Sequence, residues 1–246
     1  METAPPTAVI LGATGGIGRA LVHLLHERGF RLFLVAREEQ RLAALAAETQ
    51  SEWRAADVTS SAQVDAAFEQ ATKVLGQLDA VAHCVGSILL KPAHLTTDEE
   101  WSATLNLNLN SAFYVVRAAT RAMQRTGGSI ALVSSVAARL GLANHEAIAA
   151  AKGGVQSLAL SAAATYAPRG IRVNVVAPGL VDTPLAARIT GNEAARKASE
   201  TMHPLGRIGQ PGDVARALAW LLDPAQSWVT GQILGVDGGL GSLRSR

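Results

Sequence analysis

Cysteine and tyrosine are scarce in this chain. Its one cysteine, Cys84, excludes an internal disulfide and suits a reducing compartment. Long hydrophobic runs are missing too. No apolar stretch reaches the roughly 18 residues of a candidate membrane span, so no membrane partner is expected. Met1–Thr7 carries no basic residue and no apolar core, which leads to the expectation of a cytoplasmic protein without a targeting peptide. Charge of one sign never gathers. Charged residues are 17% of the chain and sum to +2, with no block of like charges, so a nucleic-acid partner is not expected. Neither paired carboxylates nor metal-ligand spacings occur, so neither a hydrolase of those types nor a metal site is expected. No linker-like stretch or internal repeat divides the chain. What is plentiful is apolar surface. Hydrophobic residues are 48% of 246 positions, enough for a large buried core in a single domain.

Short apolar runs alternate with helical patterns. Ala8–Leu11, Arg31–Val35, Ala80–Cys84, Ser129–Ser134, Arg172–Val176 and Ile233–Val236 read as buried strands. Between the first two, Ile17, Ala20, Leu21, Leu24 and Leu25 follow helical spacing, with Gly29 where the helix would stop. An Ala/Leu helix follows from about Glu38. Thr97 with Glu100 is a capping box that opens a long helix, and Asn144 to about Tyr166 is Ala-rich and free of proline. This alternation predicts an α/β fold: a Rossmann-type, doubly wound parallel sheet covered on both faces.

The first strand–helix junction carries Gly12, Gly16 and Gly18, spaced GxxxGxG, with Gly15 making the loop smaller still. Glycine lets backbone approach a pyrophosphate, and the helix start offers unpaired N–H groups and a favourable dipole. At the end of the second strand stand Ala36 and Arg37, with no carboxylate in the position that would bind a ribose 2′-hydroxyl. Arg37 suits a 2′-phosphate, so NADPH is expected over NADH. Asp57-Val58, after the third strand, reads either as a contact to an adenine amino group or as a helix N-cap.

At this point the chain resembles the short-chain dehydrogenase/reductase family, over essentially its whole length. Gly12-Ala13-Thr14-Gly15-Gly16-Ile17-Gly18 is similar to the family's phosphate loop, with Leu11 where threonine is common. Asp57-Val58 is similar to its adenine contact. Trp101 followed by Asn108-Leu109 looks like the segment with its active-site asparagine. Val133-Ser134-Ser135 looks like the strand end with its active-site serine, and Lys152 fits its lysine. Asn174, Pro178-Gly179 and Thr183 look like the segment that holds the nicotinamide, and Val236-Asp237-Gly238-Gly239 like the closing signature. The resemblance implies about seven parallel strands, hydride transfer with NADP(H) and a homotetramer, built partly on the helices around Glu99–Thr126 and Asn144–Tyr166.

Two departures stand out. His83-Cys84-Val85-Gly86 occupies the place of the family's Asn-Asn-Ala-Gly, which implies local repacking with His83 and Cys84 in the core. Ile148 occupies the place of the proton-donating tyrosine, four residues before Lys152 and 13 after Ser135. The only tyrosines lie elsewhere. Tyr166 is 14 positions beyond Lys152, roughly 20 Å along a helix. His145 is the substitute that the spacing suggests. Seven helical positions separate it from Lys152, about 700° of rotation, so the two fall within roughly 20° of one face. Asn144 is expected as N-cap, placing His145 in the first turn. Histidine donates protons near neutral pH without help. Two expectations follow. One is an NADPH-dependent reductase of a small polar or unsaturated molecule, using Ser135, Lys152 and Asn108 with His145 or water as proton source. The other is a catalytically silent NADP(H)-binding sensor or partner protein. A substrate lid is expected over about 184–203, with Ala186, Ala187, Ile189 and Met202 either lining it or packing its helices.

Overall fold

The apolar runs form the strands of one sheet in this computed structural model, which describes residues 4–243. The strands are β1 (Thr7–Leu11), β2 (Arg31–Ala36), β3 (Glu52–Ala55), β4 (Ala80–His83), β5 (Gly128–Val133), β6 (Ile171–Pro178) and β7 (Ile233–Val236). Their order is β3-β2-β1-β4-β5-β6-β7, and every neighbouring pair is parallel. Boundaries differ from the sequence reading by a residue or two. β1, β4 and β6 are buried throughout, as strands covered on both faces must be.

The connecting helices are α1 (Gly16–Glu27), α2 (Glu39–Thr49), α3 (Ser61–Leu75), α4 (Asp98–Leu105), α5 (Ser111–Met123), α6 (Glu146–Tyr166), α7 (Ala187–Thr190), α8 (Glu193–Met202) and α9 (Pro211–Leu222). On one sheet face Leu21, Leu25, Leu42 and Leu218 from α1, α2 and α9 pack on Ile10 and Leu34. On the other, Val64, Phe68, Val115 and Val155 from α3, α5 and α6 pack on Val9, Phe33 and Ile130. Each such side chain stabilises the fold by roughly 1.5–3 kcal/mol through burial alone. The order reverses where β1 separates β2 from β4, and ligands of open α/β sheets bind at the carboxyl ends beside such a switch point.

Two helices differ from expectation. The long helix after Thr97 does begin with a full capping box, but it is interrupted. Asn106–Asn110 form a wide π turn between α4 and α5, and the Ser111 amide reaches back five residues to the Asn106 carbonyl. Helix α6 starts at Glu146, so its N-cap is His145 and not Asn144. The reason is local. Asn144 is left-handed (φ +63°), and its carbonyl accepts from the Lys91 amide at 2.8 Å, which commits it to the preceding loop. Among the described residues no helix is long and apolar enough to cross a membrane.

Candidate active site

The glycine loop leaves β1 at Gly12, whose φ of +79° suits glycine alone. A Cβ there would lie 2.9 Å from the Cys84 carbonyl carbon, and one on Gly16 would lie 2.7 Å from Thr183 Cγ2. One on Gly18 would collide with the Gly12 carbonyl oxygen. Gly15 caps α1 without any side chain, and no acidic residue enters the first turn. The helix start therefore presents its amides and dipole to a groove of about 300 Å³. Thr14, Ile17, Arg37, Val58, Val85 and Thr183 are among the groups that line it.

At the β2 end of this groove the sequence reading is extended and corrected. Arg37 is exposed, with no ion pair among the described residues. Arg41 lines the groove as well, and its guanidinium donates to the Thr14 carbonyl at 3.1 Å. A carboxylate is present after all: Glu38 lines the groove and pairs with Arg41 at 3.1 Å. Their three-residue separation at the start of α2 is the sequence signal for Arg41. Asp57 is not the N-cap of α3, a role taken by Ser60. Its Oδ1 accepts from the amide and hydroxyl of Thr59, at 2.9 and 2.8 Å. The Thr59 amide, the Thr59 hydroxyl and the Arg37 charge together hold its pKa below the usual aspartate value, against partial desolvation.

The second group of residues gathers at the carboxyl ends of β4 and β5. Lys152 is buried on α6, and its Nζ donates to the Val133 carbonyl at 2.9 Å. Ser134 ties the same helix to β5 by donating to the Lys152 carbonyl at 2.9 Å. Ser135, the next residue, is half-buried, and its Oγ accepts from the Ala137 amide at 3.1 Å. Asn108 sits in the π turn, fully buried. Its Oδ1 accepts from the Ser87 amide, and its Nδ2 donates to the Ser87 hydroxyl and the Thr104 carbonyl. Gly86 shows how close these groups come. A Cβ on it would lie 3.0 Å from Asn108 Oδ1 and 3.1 Å from Lys152 Nζ. Burial pulls the Lys152 pKa down to about 8, opposed by the nearby Cys84 thiol. Cys84 itself lines the groove, and burial pushes its thiol up to about 12. His83 is buried beside it at the end of β4.

Ile148 is 5% exposed, an apolar side chain one turn before Lys152 on the same helix. His145 is half-buried at the start of that helix. Its Nδ1 lies 2.7 Å from the Ala143 carbonyl, which can only accept, so Nδ1 carries the ring proton and Nε2 is bare. The segment after β6 divides. Pro178 closes the strand, and the Gly179 amide donates to the Val236 carbonyl at 3.2 Å, away from the glycine groove. Thr183 faces that groove and also caps the short turn Pro184–Ala186. The expected lid comprises this turn with α7 and α8. Ala186 is buried, Ile189 half-buried, and Ala187 and Met202 exposed.

Two further side chains brace the fold: His203, which the sequence did not single out, and Asn174, which the sequence grouped with the nicotinamide segment. His203 is buried; its Nδ1 donates to the Ser199 carbonyl and its Nε2 accepts from the Leu180 amide, which pins the end of α8. Asn174 donates to the Val229 carbonyl and accepts from the Gln232 amide, fixing the approach to β7. Among the described residues no group of three His, Cys, Asp or Glu side chains is placed to hold a metal.

Residues 12–241 match the family model described as enoyl-(acyl carrier protein) reductase. The chain is 38% identical over 238 residues to the cis-4-hydroxycyclohexanecarboxylate dehydrogenase of Sinomonas cyclohexanicum, covering 94% of this chain and 95% of that protein. A solved short-chain type dehydrogenase/reductase from Mycobacterium ulcerans is 32% identical, with a TM-score of 0.92 over 100% of this chain and 93% of the other. The chain belongs to the short-chain dehydrogenase/reductase family. It is thus an oxidoreductase, and its seven-stranded sheet is the family's sheet. A single-substitution variant of the actinorhodin polyketide ketoreductase, solved with NADPH, is 30% identical with a TM-score of 0.93, over 99% of this chain and 100% of that one.

Proposed function

We propose that this family member is an NADPH-dependent reductase of a small ketone, quinone, imine or activated C=C compound, working without the family's tyrosine. The observation that carries this reading is the meeting of Lys152 and Asn108 at Gly86, beside the glycine-lined groove, with Lys152 Nζ held at Val133, two residues before Ser135. The groove fits a dinucleotide. Added Cβ atoms at Gly12, Gly16 and Gly18 would fill the cradle, and the uncapped start of α1 suits a pyrophosphate. Arg37 and Arg41 suit a 2′-phosphate better than a hydroxyl, and the NADPH held by the actinorhodin ketoreductase supports the same choice. When bound, the cofactor supplies the hydride. Val58 would line the adenine end with Asp57 beside it, Thr14, Ile17 and Thr183 would complete the groove, and Pro178 and Gly179 would act from the end of β6 outside it.

The remaining chemistry belongs to the chain. Ser135 Oγ orients the substrate oxygen or nitrogen. Lys152, with two N–H groups beyond its bond to Val133, holds the nicotinamide ribose, and Asn108 fixes the segment around it. Ile148 can neither donate nor accept a proton, so His145 or water delivers it. Because His145 Nδ1 is engaged by Ala143, delivery from this ring requires the imidazolium, with its proton on Nε2. Substrates whose reduced form readily takes a proton from water need the tyrosine least, which favours quinones, imines and enones. The two relatives named for a ketone and a hydroxycyclohexane acid support the carbonyl side of the range.

A second reading is a silent NADP(H)-binding sensor or partner protein. Buried Ile148 and the engaged His145 ring favour it. The test is NADPH mixed with a panel of quinones, cyclic imines, enones and ketones, followed at the nicotinamide absorbance. Reduction is expected with at least one class, faster with NADPH than with NADH, and Arg37→Asp shifts that preference toward NADH. Equal use of both cofactors by the native protein would overturn the assignment of Arg37.

For assembly we propose a homotetramer. Trp101, Phe113 and Leu160 are 41%, 47% and 46% exposed on α4, α5 and α6, apolar area that a partner copy would cover.

A further inference from the structure

His83 is a buried polar group that the reductase reading leaves idle. It ends β4 on the sheet face that also receives α5 and α6, and it is 1% exposed. Its Nε2 lies 3.0 Å from the Ser111 hydroxyl. That hydroxyl has one hydrogen, and it goes to the Leu107 carbonyl inside the π turn. Nε2 must therefore be the donor to Ser111, and the neutral ring keeps a bare lone pair on Nδ1. This Nδ1 has no partner among the described residues. A buried acceptor left unpaired is costly, which makes it an unusual feature needing a donor.

The nearby donor is Lys152. Its Nζ sits on the Val133 carbonyl, one residue beyond Leu132, the β5 partner of His83. Burial, with the Lys152 charge, holds the imidazole pKa at about 3, so the ring stays neutral across the physiological range. Nζ uses one of its three hydrogens on Val133. Three anchors thus converge on the same corner: His83 through Ser111 to Leu107, Asn108 through Ser87, and Lys152 through Val133.

We propose that His83 is a positioning residue for Lys152, its Nδ1 accepting a hydrogen bond relayed from the Nζ ammonium by one bound water. The same ring clamps the π turn that carries Asn108, so one residue sets both polar partners of the site. An acceptor facing the ammonium favours its charged form, so His83 raises the Lys152 pKa against the burial that lowers it. Cys84 is the other titratable group beside Lys152, and its thiol, pushed up to about 12, is neutral where Lys152 titrates; Asn108, Ser134 and Gln156 are neutral too. The catalytic consequence rests on the reductase reading, but the arrangement itself is testable without cofactor or substrate.

The chain has four lysines, Lys73, Lys91, Lys152 and Lys197, so a ¹³C-lysine NMR titration of the full protein is tractable. Lys152→Arg assigns the signal. His83→Leu should lower the Lys152 midpoint by roughly one pH unit, and His83→Asn, which retains a donor and an acceptor, should restore most of it. An unchanged midpoint in folded His83→Leu would overturn the proposal. If that variant does not fold, ¹⁵N spectra of native histidines decide, with His83→Asn supplying the assignment. A ring protonated on Nε2 with a hydrogen-bonded Nδ1 is expected; a proton on Nδ1, or a Nδ1 shift typical of a free lone pair, overturns it. Normal NMR behaviour with no turnover on any substrate would instead count against the reductase reading alone.

Discussion

Single residues carry both ends of the proposed site, and they are unequally legible in the sequence. Gly12, Gly16 and Gly18 can be read there because each answers a steric demand that no other residue meets. Arg37 is legible for its charge, whereas Arg41 and Glu38 are not, since their pairing depends on the start of α2. His83 reads only as core, because its free Nδ1 depends on the direction of the Ser111 hydrogen. Lys152 supports a stability prediction. Its folded pKa of about 8 lies below the ordinary 10.5, so the unfolded chain holds the proton more tightly. The penalty is fully present below about pH 8 and is relieved as pH rises from there toward 10.5. Lys152→Met should be the more stable protein near pH 7, by up to about 3 kcal/mol, and the gap should close toward high pH. Urea unfolding of both proteins across that window checks this; a gap independent of pH contradicts it.

The elements of the sheet are the most legible part, since short apolar runs with helical stretches between them leave few alternatives. The strand edges differ by a residue or two because the ladders extend beyond the apolar core, as at Gly128 and Pro178. The interruptions are hidden. No residue type announces the π turn at Asn106–Asn110, in which the buried Asn108 side chain bonds Ser87 and the Thr104 carbonyl. The start of α6 falls later than expected because Asn144 is bound into the loop by Lys91. That difference matters for the proton route, since His145 is a capping position with one ring nitrogen engaged. If His145 is the donor, His145→Ala and His145→Phe should each lower turnover by roughly 10²–10⁴-fold, with NADPH affinity little changed. Near-native turnover in both variants would assign the proton to water and leave Ser135 as the main polar group at the substrate.

For the whole molecule, one parallel sheet positions two kinds of residue at its carboxyl rim: the glycines and arginines that we propose for a dinucleotide, and the Ser135, Asn108 and Lys152 that we propose for a reacting group. Its outer surface carries apolar side chains that a single copy leaves in water, and Trp228 is 99% exposed near β7. Light scattering at micromolar concentration should therefore show a tetramer, and a monomer alone would rule that assembly out. The central claim is that this family member still transfers hydride from NADPH with isoleucine in place of tyrosine. NADPH deuterated at the transferring position of the nicotinamide C4, incubated with the native protein and the substrate panel, tests it most directly. The account predicts a reduced product one mass unit heavier than that formed with unlabelled cofactor. Tight NADPH binding with no label in any product would contradict it and leave the silent binding protein as the reading of this chain.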